Sequence, residues 1–136
     1  MEVTLKFLLT ALVLFVSPLA LAQQTQGKET VDRASSLISK GTIVIDVRQE
    51  ACEGYVKGAN LISIDKFLSN KESTQKKVLE LTKGDKNKKI ITYCRSGGRA
   101  GKAADILKNW GYTQIENIGG VGTYFDSKTM EKCPVK

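Results

Sequence analysis

The chain has 136 residues, with 21 Lys and Arg against 14 Asp and Glu, a formal charge of +7 and 41% hydrophobic residues. This suits one compact domain with a real core, leaves no length for two, and excludes a disordered chain. Histidine is absent, which removes Ser-His-Asp triads, Cys-His proteases and the commonest transition-metal ligand.

The first stretch, MEVTLKFLLTALVLFVSPLALAQQ, has Lys6, an apolar run over residues 7–16, then Pro18 and the small residues Ala20 and Ala22. That layout predicts a secretory signal peptide, residues 1–22, cleaved after Ala22. The run is shorter than the roughly 20 residues that cross a bilayer, so no stable membrane anchor is expected after cleavage. A single domain over residues 23–136, periplasmic or secreted, is the expectation.

Strand and helix patterns then alternate. Residues 30–39 place Val31, Ala34, Leu37 and Ile38 at helical spacing and stop at Gly41. TIVIDV (42–47) is β-branched and nearly all apolar, a strand buried on both faces. NLISI (60–64) and KIITY (89–93) are further strands, with helices expected over 65–68 and 73–81 between them. The lysine-rich stretch 83–89 is a solvated loop. Residues 99–110 form a helix with Ala100, Ala103, Ala104, Leu107 and Trp110 on one stripe, followed by a strand at QIENI (114–118). Such alternation predicts an α/β domain with a mostly parallel central sheet and helices on both faces. Ligands in sheets of this kind bind beyond the carboxyl ends of the strands, and Cys94 stands at such an end.

Three cysteines remain beyond the leader: Cys52, Cys94 and Cys133. An odd number leaves at least one without an intramolecular partner. Joining Cys52 to Cys133 would free Cys94, but the spacing fits equally two small half-buried thiols, and Cys52 approaching Cys94 is a third arrangement. No Cys-x-x-Cys exists, which excludes a thioredoxin-type pair.

The segment CRSGGRA (94–100) ends a strand in a thiol and opens a helix. A free cysteine with a pKa of about 8.5 is only a few per cent thiolate at neutral pH, whereas thiols at helix N-termini or beside arginine fall to about 3.5–7.5. Lowering a thiol pKa by two requires about 3 kcal/mol, more than one helix dipole contributes. Gly97 and Gly98 permit positive φ angles that turn successive amides onto one point, Ser96 adds a hydroxyl, and Arg95 and Arg99 add positive charge. Arg99 is expected either to reach back across the loop mouth or to pair with an acid. The segment predicts a cradle for a thiolate and for an anion attached to it.

CRSGGRA resembles the active-site loop of the rhodanese-type sulfurtransferases, in which a cysteine, four residues and an arginine follow one another. IDVR (45–48), EGYVKGANLISI (53–64) and NIGGV (117–121) are similar to other segments of that family, in the same order. The resemblance implies a rhodanese-like fold and a persulfide mechanism. Cys94 would take the outer sulfur of thiosulfate or a similar anionic donor and pass it to cyanide or a thiol acceptor. Arg95 would attract the donor, Arg99 would brace the loop, and Asp46 with Arg48 would anchor the strand end, unless they form a plain exposed ion pair. Tyr55 and Lys57 depart from the usual pattern, so no role carries over to them. No metal or organic cofactor is implied, and nucleic acid is not an expected partner because the lysines are scattered.

Two other readings stand beside this one. A cysteine phosphatase of related fold would use the same nucleophile, but phosphate needs five residues between Cys and Arg and here there are four; Asp46 is the nearest candidate general acid. A non-catalytic sulfur-carrier or binding module is the third reading.

Overall fold

The computed structural model describes residues 12–135, so the first eleven residues of the expected leader lie outside the described residues. The order is α1 (Pro18–Ser39), β1 (Ile43–Asp46), a 3-10 turn (Ala51–Glu53), β2 (Tyr55–Val56), β3 (Asn60–Leu61), α2 (Ile64–Ser69), α3 (Lys71–Thr82), β4 (Ile90–Cys94), α4 (Gly98–Asn109), β5 (Ile115–Gly120) and β6 (Met130–Glu131). A parallel sheet runs β3-β1-β4-β5, and β2 pairs antiparallel with β6 beside it.

Strand parity sorts the core into two layers. Ile43 and Ile45 of β1 and Ile90 and Cys94 of β4 face α2, α3 and α4, packing with Phe67, Val78, Ala103 and Leu107. Val44, Ile91 and Tyr93 face the other way, onto Val31 and Ala34 of α1 and onto Val56 and Met130. Both faces of β1 and β4 are covered, so their sequences show no alternation of apolar and polar residues.

Two elements differ from expectation. The first helix begins at Pro18, not Thr30, because the Ser17 hydroxyl accepts the Ala20 amide at 3.2 Å and Pro18 holds the first helical position. It therefore runs through the expected cleavage point. The strand expected over 60–64 closes after Leu61, since Ser63 takes the N-cap position of α2 and Ile64 opens it. No helix among the described residues is long and apolar enough to cross a membrane.

Candidate active site

Cys94 is the last residue of β4, and parity turns its side chain onto the start of α4. Its Sγ accepts the Gly97 amide at 3.0 Å and the Ala100 amide at 3.4 Å. Gly97 caps α4 with φ +97°, which bends the chain sharply enough for both amides to reach one sulfur. The cradle is therefore real but smaller than the sequence suggests. Gly98 does not take a positive φ; it is the first helical residue. Ser96 is exposed and, among the described residues, its hydroxyl makes no hydrogen bond. The amides of Ser96, Gly98 and Arg99 likewise have no protein acceptor among the described residues and remain available to a bound anion. Cys94 itself is only 1% exposed, so the loop that supplies its hydrogen bonds also closes over it.

The far wall of the loop comes from the end of β5. Between β4 and β5 the register slips, pairing Thr92 with Asn117 but Cys94 with Gly120, so one extra residue is absorbed on β5. Gly119, at φ +97°, takes up the irregularity. A Cβ on Gly120 would lie 2.1 Å from the Arg95 carbonyl oxygen, and the next two amides bond the loop, Val121 to the Cys94 carbonyl at 3.0 Å and Gly122 to that of Arg95 at 2.9 Å. Asn117 completes the wall: its Nδ2 donates to the Gly97 carbonyl at 2.8 Å and its Oδ1 accepts the Gly119 amide at 2.9 Å.

Charged residues divide by task. Asp46 and Arg48 form a buried pair, correcting the plain exposed ion pair that was the alternative: Arg48 Nε lies 3.0 and 3.1 Å from the two Asp46 oxygens and its Nη2 at 2.6 Å. The same Nη2 bonds the Gly54 carbonyl, and the guanidinium lies 5.8 Å from the centre of the Tyr93 ring. Burial and the neighbouring Asp46 carboxylate push the Tyr93 phenol well above its usual range, which keeps it neutral to accept the Val56 amide at 3.1 Å. Arg99 takes the second of its expected positions, reaching Glu50 at 2.6 and 2.8 Å and Gln49 at 2.8 Å. The Arg99 guanidinium holds the Glu50 carboxyl down at about 2. Arg95 is exposed and, among the described residues, has no acidic partner, leaving its charge to the solvent-facing side of the loop.

Cys52 is bonded to Cys133 and not to Cys94, which is the free cysteine. The Cys133 amide also donates to the Cys52 carbonyl at 3.0 Å, so the C-terminal tail is fastened to the turn that follows Glu50. Lys57 donates to the Ser127 and Lys128 carbonyls at 3.1 Å each, a structural clamp. Among the described residues no group of three or more His, Cys, Asp or Glu is placed to hold a metal ion. Sequence reasoning missed Glu50, Asn117, Gly119 and Gly120 as parts of the site. The glycine pair was a visible signal; the acid that braces Arg99, 49 residues earlier in the chain, was not.

A cysteine-bearing loop between a parallel strand and a helix, walled by a glycine pair, defines a class of α/β domain. The family model for the rhodanese-like domain matches residues 30–121, and the chain belongs to the rhodanese family. It is 31% identical over 100 residues, 68% of this chain and 69% of the relative, to a putative mitochondrial thiosulfate sulfurtransferase of Schizosaccharomyces pombe. A thiosulfate sulfurtransferase of Escherichia coli matches at 46% over 37 residues, 27% of this chain and 36% of that protein. A tRNA uridine(34) hydroxylase of Leptospira interrogans matches at 35% over 88 residues, 62% of this chain. The chain thus spans only 23% and 36% of the hydroxylase and the E. coli protein. Among solved structures, a rhodanese-like domain protein from Staphylococcus aureus superposes with a TM-score of 0.53 at 25% identity, covering 73% of this chain and 91% of that one.

Proposed function

We propose that this protein is a sulfurtransferase working through a persulfide on Cys94. Family membership supports a transferase of this type; the observation that carries the mechanism is the pair of amides, Gly97 and Ala100, aimed at the Cys94 sulfur. In the first half-reaction the Cys94 thiolate attacks the outer sulfur of thiosulfate, the S–S bond of the donor breaks, and sulfite leaves with the electron pair. The product is Cys94–S–S⁻, whose charge rests against the unpartnered amides of Ser96, Gly98 and Arg99. In the second, an acceptor thiol or cyanide attacks the outer sulfur and the electron pair returns to Cys94, the ping-pong pattern of covalent catalysis. Arg95 draws the anionic donor to the loop, and Arg99 with Glu50 holds its shape. The loop must open to admit the donor, because the sulfur lies beneath it.

The phosphatase reading loses ground on two observations. Arg99 is committed to Glu50 rather than to the cradle. Asp46 is fully buried with both oxygens on Arg48, so it cannot deliver a proton to a leaving group. Export with cleavage after Ala22 is part of the same proposal, supported by the Cys52–Cys133 disulfide, a bond typical of oxidising compartments.

The test is intact-mass measurement of the native protein after thiosulfate treatment, alongside thiocyanate production from thiosulfate and cyanide. A gain of one sulfur atom at Cys94, absent in Cys94→Ser, is expected. Iodoacetamide failing to alkylate Cys94 in the folded protein, or thiocyanate production surviving the substitution, sinks the mechanism.

A further inference from the structure

The register between β4 and β5 pairs Asn117 with Thr92, two residues before Cys94. Paired residues of neighbouring strands share a sheet face, and Thr92 is on the face that carries α4, since its hydroxyl donates to the Ala100 carbonyl at 3.0 Å. From that face the Asn117 Nδ2 donates to the Gly97 carbonyl at 2.8 Å, and the Gly101 amide donates to the same oxygen at 2.9 Å. Both acceptor positions of this carbonyl are thus filled, one by a side chain of β5 and one by the first hydrogen bond of α4. The Asn117 Oδ1 accepts the Gly119 amide at 2.9 Å, which decides the end of the carboxamide that meets the loop. An aspartate could keep the bond to Gly119 but would set an oxygen against the Gly97 oxygen.

A carbonyl fixed in this way also fixes the amide that follows it. The Gly97–Gly98 peptide bond is trans, so the Gly98 N–H points opposite to the Gly97 carbonyl, away from Asn117 and out of the N-terminal end of α4. The Gly98 amide has no protein acceptor among the described residues; the Cys94 Sγ is served instead by the amides of Gly97 and Ala100. During loading the S–S bond of thiosulfate breaks, sulfite leaves with the electron pair, and the negative charge moves from Sγ to the outer sulfur of Cys94–S–S⁻. The two amides that hold Sγ are then one bond away from the charge, and a further donor is needed there. We infer that Asn117 is a positioning residue for the persulfide, aiming the Gly98 N–H at the outer sulfur by filling the Gly97 carbonyl. This rests on the sulfurtransferase reading above and assigns Asn117 to the loaded state, not to the resting thiolate.

The experiment compares the full chain with Asn117→Ala and Asn117→Asp. Asn117 is exposed, so neither change touches the core, and urea midpoints verify that both variants are folded. Sulfur gain at Cys94 after mixing with thiosulfate is followed by intact mass, and the resting thiolate is titrated by the pH dependence of iodoacetamide alkylation. The rate of loading at saturating thiosulfate should fall about tenfold in Asn117→Ala, the equivalent of about 1.4 kcal/mol and the scale of one hydrogen bond to a charged group. It should fall at least as far in Asn117→Asp. The KM for thiosulfate and the midpoint of the alkylation profile should stay where they are in Asn117→Ala, because Arg95 and the two amides on Sγ are untouched. A loading rate within twofold of the wild type in Asn117→Ala overturns the assignment. A slower rate accompanied by a raised alkylation midpoint overturns it equally, since Asn117 would then be holding the loop around the thiolate. A wild-type chain that takes up no sulfur at Cys94 overturns the sulfurtransferase reading, and the role of Asn117 with it.

Discussion

Asp46 ends β1 against the Tyr93 ring, in a place where neither a carboxylate nor a guanidinium could stand alone. Arg48, two residues on, returns over the strand end, and each charge is covered by the other and by the Gly54 carbonyl. Removing one partner of a buried pair costs about 3–5 kcal/mol, whereas replacing both by apolar residues is often neutral. Arg48→Met should therefore lose about that much in urea unfolding, and Asp46→Leu combined with Arg48→Met should recover most of it. Glu50 and Arg99 are a different case, since their side chains are 28% and 29% exposed, and such pairs contribute about 1 kcal/mol or less. The folded Glu50 carboxyl, at about 2, lies below its ordinary value of 4.5. Its contribution is thus complete above about pH 4.5 and lost as the pH falls towards 2. The difference in stability between the wild type and Glu50→Gln should close across that window; a difference that is constant with pH would show that the charge on Glu50 does not stabilise the fold.

At the scale of elements, the β4 to α4 connection works because the end of β5 is built around it. The slip in register at Gly119 brings Gly120 against the Arg95 carbonyl, where an alanine Cβ has no room and the obstacle is main chain. Gly120→Ala should cost about 1–3 kcal/mol, as overpacking does, and should slow sulfur loading by displacing the loop. Gly98→Ala is the contrast: nothing lies within 4 Å of that Cβ, and the residue is helical. Its stability should stay within about 0.5 kcal/mol of the wild type or rise slightly. These two glycines show what the sequence could and could not disclose. The buried strands β1 and β4 were legible because continuous apolar runs admit few alternatives, and the loop because its glycines and arginines stand together. Which glycine bends the chain and which merely opens a helix depends on what faces each one, and that is a tertiary fact. The β2–β6 pair was illegible for a similar reason: two residues on each side carry no periodicity, and the match of Tyr55 and Val56 with Glu131 and Met130 joins segments about 75 residues apart in the chain.

For the molecule as a whole, the question is how much of α1 belongs to the domain. A leader-like composition and a helix-forming one look alike here, because Ala, Leu and Gln serve both, so the sequence could not reveal that the helix starts at Pro18. Burial separates the two parts. The buried residues of α1 are Gly27, Thr30, Val31 and Ala34; none precedes Gly27, and Leu12 and Phe15 are 85% and 93% exposed. The turns before Gly27 therefore lie outside the core and do not hold the sheet. A chain beginning at Gln23 should unfold within about 0.5 kcal/mol of the full chain, the range of surface changes away from packed features. A chain beginning at Asp32 removes Gly27, Thr30 and Val31 from the face packed on Val44, Ile91 and Tyr93. Burial of Val31 alone accounts for about 1.5–3 kcal/mol, so this second chain should be clearly destabilised. Urea midpoints of the three chains decide the matter: a loss above about 1 kcal/mol on starting at Gln23 would mean that the segment before it is structural, and would count against its removal as a leader.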